Sequence, residues 1–163
     1  MVRRFRSVGV KKDVSSKIRH WCARTERSPE QVRRKLYSWD VADQFDAVIA
    51  ELKREGFVDE ERFAEAFAQD HVRIKGWGPH KVSAALRQVH RLDDQVVDRA
   101  MACISDQDVF EAARRAVRRR RLGREDEDKS KTVGALLTWG FGLELARSAV
   151  DEAVSDPKFG ATW

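Results

Sequence analysis

Apolar residues return every three or four positions along most of the chain, in nine successive stretches, and this period predicts amphipathic helices. The stripes are Ile18, Trp21 and Cys22; Val32, Leu36 and Trp39; Phe45, Val48, Ile49 and Leu52; Phe63, Ala64 and Phe67; and Val82, Ala85, Leu86 and Val89. They continue as Val96, Val97, Ala100 and Met101; Phe110, Ala113 and Val117; Val133, Leu136 and Leu137; and Leu143, Leu145, Ala149 and Val150. No segment shows the two-residue alternation of a strand with comparable strength, so the expected class is all-α.

Punctuation places the helix ends. Ser28-Pro29-Glu30-Gln31 has the form of a capping box with proline in the first turn, where its missing N–H would be unpaired anyway. Asp59 is placed to cap the helix of Phe63, with Val58 and Phe63 at staple spacing. Asp43, Asp93 or Asp94, and Ser105 are further expected starts, and Gly76-Trp77-Gly78-Pro79 ends one helix and opens the next. The first helix is expected over Val14 to Arg27. Gly123 to Lys131, without an apolar residue, reads as a solvated loop or a helix start, and Asp156-Pro157 closes the last helix.

Overlaying the stripes exposes a repeat. Leu36, Leu86 and Leu136 are spaced by fifty residues, each on the middle helix of a trio, preceded four residues earlier by Val32, Val82 and Thr132. First helices supply Trp21, Phe67 and Val117. The expected architecture is three tandem three-helix repeats stacked into an elongated, curved array, since one such unit buries its stripe poorly alone. The segments are a flexible basic arm over 1–13, repeats over 14–57, 58–104 and 105–156, and a tail over 157–163.

Charge sharpens this picture. The net charge is +5, but its distribution matters more: residues 71–92 carry five basic and no acidic residues, 114–124 carry seven and none, while 36–70 and 93–113 are predominantly acidic. Folding that gathers the positive blocks on one side creates a cationic stripe stronger than the net charge implies; alternation that only keeps helices solvated is the other reading. Arg73, Lys75, Lys81, Arg87 and Arg91, with Arg114, Arg118 and Arg121 from the arginine cluster, are the candidate contacts to a partner surface or to phosphate. Trp77 is a candidate anchor, with packing between helices as its alternative. Trp21 and Trp39 are expected in the core.

Catalytic and metal chemistry find little support. His20, His71, His80 and His90 lack a metal-ligand spacing, the Gly76-Trp77-Gly78 loop lacks the strand and third glycine of a dinucleotide site, and no P-loop or nucleophile motif occurs. No cofactor, no metal and no enzymatic activity are expected. Cys22 and Cys103 stand alone, and no apolar run is long enough to span a bilayer, which suggests a reducing, cytoplasmic setting.

Three segments, Arg24 to Leu36, Gly56 to Ala64 and Lys81 to Leu86, resemble the RecX family of recombinase regulators in order and spacing. Arg24-Thr25-Glu26-Arg27-Ser28, Gly56-Phe57-Val58-Asp59-Glu60-Glu61-Arg62-Phe63-Ala64 and Lys81-Val82 followed by Leu86 carry the likeness. The resemblance implies tandem three-helix repeats and a non-enzymatic protein that binds RecA and the RecA–single-stranded DNA filament and curbs its growth or activity; a monomer is expected. The alternative is a sequence-independent nucleic-acid-binding helical module that uses the same cations on phosphates.

Overall fold

A computed structural model of the chain describes residues 12–41, 45–119 and 126–155. Among these residues there are nine α-helices and no strand, in three trios. The first trio is α1 (Lys12–Ala23), α2 (Pro29–Tyr37) and α3 (Phe45–Arg54). The second is α4 (Glu60–Arg73), α5 (Pro79–Gln88) and α6 (Asp94–Ala102), and the third is α7 (Asp106–Arg119), α8 (Asp126–Thr138) and α9 (Leu143–Ser155). The all-α class and the three-helix repeat are as the periodicity predicts. The chain divides into two compact units, Met1–Phe63 and Ala64–Trp163, with the division inside α4.

Side chains at the helix starts explain where the helices begin. Ser28 is buried, its hydroxyl accepts from the Gln31 N–H at 3.2 Å, and the Gln31 side chain accepts from the Ser28 N–H at 3.0 Å, completing the capping box before Pro29. Fifty residues on, Gly78-Pro79 opens α5 with the same backbone geometry but no side-chain cap. The Asp59 carboxylate accepts from the Arg62 N–H at 3.0 Å, and the Ser105 hydroxyl accepts from the Asp108 N–H at 3.1 Å. Asp93 holds the cap position of α6 without a side-chain cap bond. Asp43 lies outside the described residues.

The repeat is written in the middle helices and in how they end. Leu36, Leu86 and Leu136 are all buried. Each offers its carbonyl to the N–H of the residue that leaves the helix: Val41 at 3.1 Å, Leu92 at 3.2 Å and Phe141 at 3.1 Å. A left-handed residue precedes each of these donors, Asp40 (φ 59°), Arg91 (φ 54°) and Gly140 (φ 89°), and turns the chain back over the leucine. The first helices align through buried residues: Ile18 and Cys22, Ala68 and Val72, Ala113 and Val117. Of the residues expected to align there, only Val117 is in this set; Trp21 and Phe67 are half-buried beside it.

Some boundaries differ from the sequence expectation. The first helix starts at Lys12, inside the expected arm, and ends at Ala23 instead of Arg27; beyond its end Arg27 lays its guanidinium over Trp21, 4.2 Å from the ring centroid. Asp126 to Lys131 join α8, so the polar run is in part a helix start. Residues 1–11, the Asp156-Pro157 closure and the tail fall outside the described residues.

In the first unit, Trp21 and Trp39 pack half-buried against a core of Ile18, Val32, Leu36, Val48 and Leu52. Lys35 places its ammonium 5.8 Å from one ring and 5.3 Å from the other. In the second unit α7 packs on both α8 and α9, and α5 packs on α6. The buried residues of α7 and α9 are mostly alanines, Ala112, Ala113 and Ala116 on the one and Ala146, Ala149 and Ala153 on the other, and such small residues allow a close helix approach.

Candidate partner-binding surface

The turn between α4 and α5 is the centre of the candidate surface. Gly76 is left-handed at φ 68°, and Trp77 follows with its N–H donated to the His71 carbonyl at 2.8 Å. The Trp77 ring meets His71 edge-on, centroids 4.6 Å apart, while His71 stacks on Phe67 at 3.7 Å. Burial lowers the His71 pKa, opposed by the ring nitrogen's bond to the Phe67 carbonyl. Trp77 is half-buried, its ring packed against His71 and Phe67 of its own repeat.

Lys81, in the first turn of α5, carries its ammonium 4.3 Å from the Trp77 ring centroid and 5.5 Å from that of Trp139. Trp139 belongs to the third repeat and arrives through a backbone contact: the Gly78 N–H donates to the Trp139 carbonyl at 2.8 Å, and the His80 N–H to the Gly140 carbonyl at 3.0 Å.

Several of the other candidate cations already face carboxylates. Arg73 forms an ion pair with Asp108 at 3.0 Å, which raises the arginine's pKa and holds the Asp108 carboxyl below its usual range, aided by the Ser105 hydroxyl. Arg87 reaches across to α6 and meets Asp94 at 2.6 Å and Asp98 at 2.7 Å. Arg114 lies near Glu111 at 3.4 Å and Glu152 at 3.5 Å. Lys75 and Arg91 are exposed and form no ion pair among the described residues. Arg118 is exposed near the end of α7, and Arg121 lies outside the described residues.

Two further members of the arginine cluster complete the surface. Arg115 donates to the Arg73 carbonyl at 2.9 Å and the Val72 carbonyl at 3.4 Å, closing the C-terminal end of α4. Arg119 is exposed where α7 passes the Gly76 turn, and lines a small cavity with Trp139. Neither carried a local signal beyond membership of the arginine cluster.

Comparison with known proteins settles the family. The model of the RecX second three-helix domain matches residues 59–101. The regulatory protein RecX of Halorhodospira halophila is 33% identical over 118 residues, 69% of this chain and 70% of that protein. This chain belongs to the RecX family. RecX of Leuconostoc citreum is 26% identical over 130 residues, a span that covers 77% of this chain but 48% of the relative, so the chain spans about half the length of such longer members. The crystal structure of RecX from Lactobacillus salivarius shares the fold, with a TM-score of 0.69 and 19% identity over 89% of this chain and 99% of that one. Within the matched RecX domain lie Arg73, Lys75, Trp77, Lys81, Arg87 and Arg91; Arg114 and Arg118 follow it in sequence. The three-helix repeat seen here is thus the RecX repeat.

Proposed function

We propose that this chain binds RecA and the RecA–single-stranded DNA filament and restrains filament growth, ATP hydrolysis and strand exchange, acting in the cytoplasm and without catalysis of its own. Membership of the RecX family, carried by the Halorhodospira halophila regulatory protein at 33% identity, supports this reading most directly.

Electrostatics refines which residues would make the contact. An arginine already facing a carboxylate gains little by exchanging it for a partner's, because the pair present is given up as the new one forms. Lys75 and Arg91 therefore lead the contact set, Lys81 follows, and Arg73, Arg87 and Arg114 contribute only where the partner outcompetes Asp108, Asp94 with Asp98, or Glu111 with Glu152.

Binding to surface-immobilised single-stranded DNA, with and without a coat of RecA, tests the reading. A partner-directed regulator binds the coated strand strongly and the bare strand weakly. Equal and tight binding to both, lost steeply with added salt through counterion release, would instead identify a nucleic-acid module.

A further inference from the structure

Of the two acid-free blocks of the sequence, 71–92 and 114–124, the first meets the described end of the second, at Arg119, in the second unit. A Cβ built on Gly76 would lie 3.9 Å from an Arg119 guanidinium nitrogen, and Lys81 stands 5.5 Å from the Trp139 ring. Elsewhere in this unit, Arg73, Arg87 and Arg114 face carboxylates. Here Lys75, Lys81 and Arg119 have no carboxylate partner among the described residues.

Between α7 and α8, at this same place, lies a cavity of about 200 Å³ lined by Ala116, Arg119, Ala135, Leu136 and Trp139. Among the described residues its walls are the alanine methyl groups, a leucine and an indole, with Arg119 as the one charged residue. A nucleobase would bring ring nitrogens and carbonyls into these walls, where polar edges without partners are costly. A phenylalanine or leucine side chain brings none, and the volume suits one such group.

We infer that this cavity receives one large apolar side chain from an acidic segment of the partner protein, whose flanking carboxylates meet Arg119, Lys75 and Lys81. The inference rests on the reading above that the chain acts through a protein partner. It adds the chemistry of the recognised segment: an apolar residue with acids on both sides. The apolar group supplies the buried anchor, and the cations at the rim select the acidic flanks and speed encounter.

Nuclear magnetic resonance of the isotope-labelled chain tests it with three probes: a short peptide with a central phenylalanine between aspartates and glutamates, the same peptide with lysines as flanks, and a thymidine oligonucleotide. The acidic peptide is expected to shift the Trp139 indole and the Ala116 and Ala135 signals saturably, and the lysine peptide to leave them in place. Equal shifts from both peptides, or larger shifts of these signals with the oligonucleotide, overturn the inference. On RecA-coated DNA, Arg119→Glu and the cavity-filling Ala135→Leu should each weaken binding roughly tenfold, with helicity retained. Arg119→Glu changes an exposed side chain and so stays informative if Ala135→Leu unfolds. Wild-type binding matched by both variants sinks this inference and leaves the RecA reading standing; a peptide that seats in the cavity of a chain with no affinity for RecA filaments does the reverse.

Discussion

Gly78 and Gly140 touch backbone to backbone: a Cβ on Gly78 would overlap the Gly140 carbonyl, and one on Gly140 would overlap the Lys81 backbone. The contact joins the turn before α5 to the turn after α8, and it leaves no room for a side chain on either glycine.

Substituting these glycines separates space from conformation. Gly78→Ala should cost about 2–4 kcal/mol by forcing the two turns apart, and Gly140→Ala at least as much, since φ 89° adds strain. Gly56→Ala, left-handed at φ 78° with open space around it, should cost only about 1 kcal/mol. Gly134→Ala, helical and unobstructed, should stabilise by about 0.5–1 kcal/mol. Urea unfolding midpoints check the order, and equal losses at Gly78 and Gly56 would contradict the backbone contact.

Helix caps offer a second comparison. Ser28→Ala removes a cap bond and exposes a buried N–H, for about 1 kcal/mol. Asp93→Ala should change stability far less, because its side chain makes no cap bond. Thermal unfolding followed by circular dichroism distinguishes the two.

These caps also show how much of the fold was legible in the sequence. Ser28, Asp59 and Ser105 could be read because a cap is local, involving groups three residues apart. The leucine spacing could be read because the buried face of a helix is written in its period. The pairing of Arg87 with Asp94 and Asp98 could not, since it depends on the angle at which α5 meets α6; nor could Arg73 with Asp108, which joins residues thirty-five apart. The expected stripe was counted in charges, and tertiary packing decides which charges remain available. Trp21 and Phe67 misled the alignment of first helices because ring size suggested core, while the fully buried positions hold Ile18, Ala68 and Ala113.

Stability should fall on acidification near neutrality. Burial lowers the His71 pKa in the folded chain, so the unfolded chain binds its proton first. The stability contributed by neutral His71 is complete above the unfolded value of about 6.5 and is lost as pH falls toward the lower folded value. Asp108, held low by Arg73, acts in the same direction but only in the carboxylate range. Melting temperatures should therefore drop between about pH 7.5 and 5.5, and His71→Gln should flatten that drop. An unchanged slope in the variant would assign the effect to other groups.

The two thiols should differ in reactivity. Cys22 is buried, and burial pushes its pKa up to about 11 against the opposing Arg27 charge, whereas Cys103 is exposed. Thiolate is the reactive form, so a thiol reagent at neutral pH should label Cys103 in the native chain and Cys22 only on unfolding. Equal labelling in the native chain would show that the α1 core opens readily.

Charge reversal tests the ranking of cations. Lys75→Glu with Arg91→Glu should weaken binding to RecA-coated DNA more than Arg87→Glu does, because Arg87 is already neutralised by Asp94 and Asp98. Arg87→Glu should lower stability instead, by placing three acids together. The reverse ranking would mean that the partner displaces both aspartates.

The most direct measurement is the rate at which RecA filaments assemble on single-stranded DNA, followed with and without the purified chain. The account predicts slower growth at substoichiometric chain, with RecA-dependent ATP hydrolysis reduced in parallel. Unchanged assembly and hydrolysis, together with tight binding of the chain to bare single-stranded DNA, would contradict it.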